Sequence, residues 1–191
     1  MTDGPFKNMK LGSRWKRLAE AVQNDAVDQS ECTALANDTI VRELVTPANN
    51  AILSDLEAYA GRDQMDFDPI SSVEAVFEQH PKTPFNDQLQ KELTYRLSDG
   101  VPVGSALSDA VEASATSHIG ETRNRFQEEC LRLREAKELS TDKCRSTIDK
   151  VNATFDAVDI PGLCKAVREG DKNAFKATTN KKDGLDEGPS L

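Results

Sequence analysis

The chain has 191 residues, of which 30% are charged, and its formal net charge is −9. Leu, Ile, Val and Phe account for about a fifth of the residues, just above the ~20% below which chains tend to stay disordered. No apolar run approaches the ~20 residues that a membrane-spanning helix needs. The first ten residues contain an acid and no apolar segment, so we expect no secretory signal and a cytoplasmic location without membrane contact.

Charge is distributed unevenly along the chain. Residues 1–18 hold five bases and one acid, residues 19–122 hold five bases and nineteen acids, and residues 123–182 hold fourteen bases and ten acids. The acidic middle should repel nucleic acid and anionic membranes. The basic segments could bind such partners or the acidic middle of the same or another chain, or they could form ordinary solvated helix faces.

Capping residues and apolar residues spaced three and four apart predict a series of helices. These helices cover about residues 13–28, 31–45, 47–60, 70–79, 84–98, 103–139, 143–158 and 160–168. The second and third keep one apolar phase through Pro47, so they are either two helices with a sharp junction or one helix kinked at the proline.

The two helices on either side of residues 140–142 carry matching apolar stripes. Folding of the chain at 139–141 would pack them together as an antiparallel hairpin, with spacings of four and three typical of a coiled-coil seam. The predicted seam consists of Phe126, Cys130, Leu133, Cys144, Ile148, Val151, Phe155 and Val158. We therefore predict an all-α protein, a helical bundle with a long hairpin at about 103–158.

Composition also predicts how the chain is divided. Residues 1–12 contain glycine and proline among bases and are expected to form a short flexible arm. Residues 13–177 hold the predicted helices and are expected to form a single all-helical domain. Residues 178–191 are polar and contain Gly184, Gly188 and Pro189, so a disordered tail is expected there.

Residues that commonly carry chemistry are few and scattered. The four cysteines and two histidines lack the spacing of a zinc site, and the chain has no phosphate-binding loop or familiar catalytic motif. We therefore predict no catalytic residues, no metal and no cofactor, with Cys130 and Cys144 acting as small apolar fillers. One enzyme alternative remains, in which His118 and Glu121, three apart on the long helix, would converge with further acids.

The N-terminal segment is the most distinctive stretch of the sequence. It interleaves bases with apolar residues and the single tryptophan, a composition suited to docking on a protein partner or lying along phosphates. The candidate interaction residues are Phe6, Lys7, Met9, Lys10, Arg14, Trp15, Lys16 and Arg17. A competing interpretation places Trp15 in the core, with Leu18 and Val22, and the bases in water.

The opening residues, Asp3-Gly4-Pro5 followed by Trp15-Lys16-Arg17-Leu18-Ala19-Glu20, resemble the start of some uncharacterised bacterial proteins. That resemblance implies a bacterial source and carries no activity. From the residues themselves we predict a non-catalytic interaction or accessory subunit that binds a protein partner or itself. The alternatives are a nucleic-acid-associated regulator that uses the arm, and the enzyme around His118 and Glu121.

Overall fold

The computed structural model of the chain describes residues 29–62, 68–173 and 175. The described residues form seven α-helices, which confirms the all-α prediction. The helices are α1 (Gln29–Leu44), α2 (Pro47–Ala60), α3 (Pro69–Glu78), α4 (Pro84–Ser98), α5 (Val103–Glu135), α6 (Thr141–Asp156) and α7 (Ile160–Glu169). The predicted arm, the predicted helix over 13–28 and the predicted tail lie outside the described residues.

Three helices begin with a polar capping residue followed by proline. The side chains of Thr46, Asp68 and Thr83 each accept a hydrogen bond from the backbone N–H three residues further on, at 3.1–3.2 Å. Proline fits at the next position because its missing N–H would have no partner in the first turn. The cap at Thr46 also answers the question that the sequence left open, since α1 ends at Leu44 and α2 begins at Pro47 as a separate helix.

Two helices end in the same hydrogen-bonded turn. After α4, the N–H of Val101 donates to the carbonyl of Arg96 at 3.1 Å, and Gly100 adopts a φ of 78°. After α5, the N–H of Glu138 donates to the carbonyl of Leu133 at 2.9 Å, and the left-handed position is held by Lys137 with a φ of 61°. Only the turn after α4 has glycine at this position, and glycine is the residue that adopts a positive φ without steric cost.

The described residues fall into two compact units. In the first, which comprises 29–40 and 117–158, the last part of α5 runs antiparallel to α6. The rings of Phe126 and Phe155 stack with centroids 5.7 Å apart, and Gln127 donates to Asn152 at 2.6 Å. The start of α1 joins them, since the Gln29 side chain donates to the Thr154 hydroxyl at 2.6 Å. The predicted hairpin is thus present in this unit, and α1 packs against it.

The predicted seam is correct on α5 and partly wrong on α6. Phe126, Cys130 and Leu133 are buried, as are the α6 residues Cys144, Val151 and Phe155. Ile148 and Val158, however, are only half-buried, and threonines at positions 147 and 154 are buried instead. Each threonine hydroxyl donates to the carbonyl four residues back, at 2.8–2.9 Å. Because this internal bond satisfies each hydroxyl, the threonines can be buried. The buried face of α6 is therefore turned toward the side where Gln29 lies.

The second unit contains the described residues from 41 to 116 and from 159 onward. Here α2 packs against α3, α4 and α7, and α3 packs against α4. Its core is aliphatic with few aromatic rings, and its fully buried large side chains include Leu44, Ile52, Leu53, Leu56, Phe85, Leu89, Leu93 and Leu163. The prediction that residues 13–177 form a single domain stays a prediction. None of the described helices has the length and apolar character needed to span a membrane.

Candidate functional site

The eight candidate interaction residues of the N-terminal segment all lie before residue 29, outside the residues that the structure describes. Their role as an interaction site therefore stays a prediction from sequence. The other sequence-based candidates, the histidine–glutamate pair and the cysteines, lie in described helices and can be located.

His118 and Glu121 both lie on α5, three residues apart as predicted. The ring of His118 is buried, with 0% exposure, and Glu121 is half-buried. Thr122 and Arg125, further along α5, are also buried. The Arg125 guanidinium donates to the Thr122 hydroxyl at 2.8 Å. Within the described ranges, no group of three or more His, Cys, Asp or Glu side chains is arranged to hold a metal ion. The imidazole therefore lies in the interior of the helix packing, where a substrate would reach it only after local opening.

The cysteines are buried as the sequence predicted. Cys130 is 8% exposed, and burial, followed by the charges of Cys144 and Glu129, raises the pKa of its thiol to about 12. Burial also raises the pKa of the Cys164 thiol to about 11. At neutral pH both thiols are almost entirely protonated, and the protonated thiol is a poor nucleophile. These two residues have the properties of packing residues, not of catalytic cysteines.

The second unit presents a surface that the sequence analysis did not identify, on the solvent side of α4. Tyr95 is 62% exposed there, while Leu93 and Leu97 on either side of it in sequence are buried. Among the residues that the structure describes, Tyr95 is the one large apolar side chain that is exposed. The sequence does carry a signal for this position. Tyr95 is not at the helical spacing of the buried leucines of α4, so the helical repeat places it on the opposite face.

The polar side chains around Tyr95 are ordered by contacts along the helix. Gln88 donates to Glu92 at 3.1 Å, and the Arg96 guanidinium approaches the other oxygen of Glu92 at 3.7 Å. The Arg96 Nε atom is buried and has no hydrogen-bond partner within the described structure. Lys91 is exposed one turn before Tyr95. The side chains that share this surface, called the Tyr95 face below, are Gln88, Lys91, Glu92, Tyr95 and Arg96.

A shallow, open depression of about 400 Å³ lies in the same unit, where the end of α2 meets the start of α5. Its described lining is about equally polar and apolar, and it includes Leu97, Val101, Val103 and the charged side chain of Arg62. Its open shape and mixed lining differ from the enclosed, mostly apolar cavities in which small molecules usually bind.

Comparisons with known proteins found no match to a family model, to a curated protein or to a solved structure. The function must therefore be argued from the geometry of the chain itself.

Proposed function

We propose that the chain is a non-catalytic interaction subunit of the bacterial cytoplasm that binds a protein partner through its basic N-terminal arm and its Tyr95 face. The observation that supports this proposal is the exposure of Tyr95, 62%, on a helix whose other large apolar side chains are buried. The thiols of Cys130 and Cys164 and the imidazole of His118 lie inside the helix packing. These three groups are thus enclosed, while the exposed aromatic group is of the kind used in binding.

A tyrosine in this setting can contribute strongly to an interface. Its ring buries a large area at a low cost in side-chain entropy, and tyrosine and arginine are enriched among the residues that dominate binding energy. The bond between Gln88 and Glu92 already fixes part of the polar rim, which lowers the entropy lost on association. The Arg96 guanidinium, which lies 3.7 Å from Glu92, adds a charged group to the polar rim of this face.

The nucleic-acid alternative places the contact on the basic arm. In the described hairpin, Arg123 pairs with Asp156 at 2.8 Å and Arg132 pairs with Glu129 at 2.6 Å. These pairs engage two of the hairpin's bases and weaken its attraction for a polyanion, while Arg134, Lys137 and Arg145 are exposed.

Site-specific photo-cross-linking in the native cell tests the Tyr95 face. A photoreactive phenylalanine analogue at position 95 should give an adduct of one defined mass, and the same analogue at the exposed position 74 on α3 should not. The partner identified in this way is then purified, and Tyr95→Ser should weaken its binding at least tenfold, since central aromatic anchors contribute ~2 kcal/mol or more. Equal adducts from both positions, or unchanged affinity, would rule out the Tyr95 face.

Truncation of residues 1–12 tests the arm and separates the two classes of partner. If the arm docks on a protein, its loss should weaken binding, and Phe6→Ala or Met9→Ala should reproduce much of the effect. If the arm binds nucleic acid, Lys7→Ala and Lys10→Ala should matter more, and affinity should fall steeply between ~50 and ~200 mM salt. The second outcome would replace the proposed function with the nucleic-acid alternative.

A further inference from the structure

Two buried cysteines, Cys130 and Cys144, lie on the two helices of the hairpin in the first unit. The Cys144 sulfur lies 3.6 Å from the backbone carbonyl oxygen of Cys130, in the range of a weak S–H donor contact. Both residues are buried, with exposures of 2% and 8%, and both are reduced in this structure. The charge of a Cys144 thiolate is among the causes that raise the pKa of Cys130, so the two sulfurs are close enough to interact electrostatically.

The position of this pair within the hairpin also favours a bond. Cys130 lies five residues before the end of α5, and Cys144 lies in the first turn of α6, where its N–H donates to Ser140 at 2.8 Å. Between them is the turn in which Lys137 holds a left-handed conformation. Helix ends beside a turn open more readily than helix centres, so this end of the hairpin allows a small reagent to reach thiols that are buried on average.

We propose that Cys130 and Cys144 form an intramolecular disulfide when the protein meets a low-molecular-weight disulfide such as oxidised glutathione. The Cys144 sulfur already lies against the backbone of Cys130, so the bond requires rotation of side chains and adjustment of the turn, not a different pairing of helices. Cys32, on α1, also lies within electrostatic range of Cys130. We assign the bond to Cys144 because it is Cys144 that contacts the backbone of Cys130 directly.

The exchange takes place in two balanced steps. The thiolate of one cysteine attacks a sulfur of the small disulfide, which forms a mixed disulfide and releases one thiolate of the reagent. The second cysteine, as its thiolate, attacks the protein sulfur of the mixed disulfide, which forms the Cys130–Cys144 bond and releases the second reagent thiolate. The two cysteines lose two protons and two electrons, and the reagent gains them as two free thiols. The reaction should be slow, because burial raises the pKa of Cys130 to about 12 and leaves little thiolate at neutral pH.

Intact-mass measurement after incubation with oxidised glutathione tests the assignment in the wild-type chain. We expect a loss of about 2 Da and alkylation of only Cys32 and Cys164 under denaturing conditions. Trypsin should release the peptide of residues 126–132 linked to the dipeptide of residues 144–145. Closing a loop of about 15 residues should also lower the unfolding equilibrium constant by on the order of 100-fold.

Three results would overturn the proposal: four alkylated cysteines at equilibrium, glutathione adducts without a cross-link, or a cross-link that involves Cys32. Cys164→Ser should keep the mass loss, since Cys164 lies in the other unit. Cys144→Ser should abolish it. The peptide map of the wild-type protein decides the matter by itself, so the test stands even if a variant folds poorly.

Discussion

The Thr83 hydroxyl donates a hydrogen bond of 2.8 Å to the side-chain oxygen of Asn49, which is completely buried. The amide nitrogen of Asn49 donates in turn to the carbonyl of Leu44 at 2.9 Å, at the end of α1. The oxygen of Thr83 also accepts the N–H of Asn86 at the start of α4. One buried amide and one hydroxyl therefore join the end of α1, the first turn of α2 and the N-cap of α4.

We expect Thr83→Ala to lower the free energy of unfolding by about 2 kcal/mol. The substitution removes a helix cap, worth ~1 kcal/mol, and leaves the buried oxygen of Asn49 without its donor. Urea denaturation measures the change. The matched control is Ser140→Ala, because Ser140 is exposed and caps α6 by accepting the N–H of Lys143. This control should cost only about 1 kcal/mol, and equal losses at the two caps would mean that the bond to Asn49 contributes nothing.

We expect Phe155→Ala to destabilise the protein by about 3–5 kcal/mol, because the ring is 4% exposed and its removal leaves a cavity against Phe126. The control on the same helix is Ile148→Ala. Ile148 is half-buried, so its truncation should cost roughly half as much or less. Thermal or chemical denaturation compares the two variants. A larger loss at Ile148 than at Phe155 would contradict the burial of these two side chains in the structure.

Features that depend on neighbouring residues could be predicted from the sequence. The caps at Thr46, Asp68 and Thr83 are examples, because a capping side chain bonds to an N–H only three residues away. The stripe on α5 was also correct, since large apolar side chains repeat at helical spacing over many turns. Local chemistry was therefore sufficient for most of the helix starts and for the all-α class.

Features that depend on distant residues could not be predicted in this way. Burial of Thr154 instead of Val158 on α6 follows from contact with Gln29, which is 125 residues away in sequence. The bond between Asn49 and Thr83 likewise joins two helices that no sequence pattern pairs. The exposure of Tyr95 follows from its phase on α4, but a helical pattern identifies only the face opposite the core and does not single out one side chain on it.

The left-handed turn after α5 offers a test of backbone strain. Lys137 has a φ of 61°, which costs a residue with a side chain about 1 kcal/mol, so we expect Lys137→Gly to stabilise the protein by about 0.5–1 kcal/mol. Lys137→Ala controls for loss of the exposed side chain and should change little.

Gly100, at the matching position after α4, should show the opposite sign. A Cβ there would meet no atom within 4 Å, so Gly100→Ala should cost about 1 kcal/mol from conformation alone. Chemical denaturation measures all three variants, and a loss of stability in Lys137→Gly would contradict the strain argument.

Burial of Cys130 should make stability fall in alkaline solution. The pKa of its thiol is raised from 9.0 to about 12 in the folded chain, chiefly by burial. Between these two values the unfolded chain releases the proton and the folded chain retains it, so unfolding becomes more favourable as the pH rises. The contribution of the neutral thiol to stability is complete below pH ~9 and decreases as the pH rises toward ~12. At pH ~11 the loss is on the order of 2 kcal/mol.

Other groups titrate in the same range, so the measurement is a difference between two proteins. Urea denaturation of the wild type and of Cys130→Ala should be compared at neutral pH and at pH values from ~9 to ~11, with a reductant present throughout. The variant should be less stable at neutral pH, because it leaves a small cavity, and its stability should fall less steeply with pH. The difference in the free energy of unfolding between the two proteins should therefore narrow as the pH rises. Cys164→Ala should behave similarly but more weakly, since the pKa of Cys164 is raised only to about 11. Parallel pH profiles for the wild type and Cys130→Ala would show that the thiol ionises as readily in the folded chain as in the unfolded one, and would also remove the reason to expect slow disulfide exchange at this cysteine.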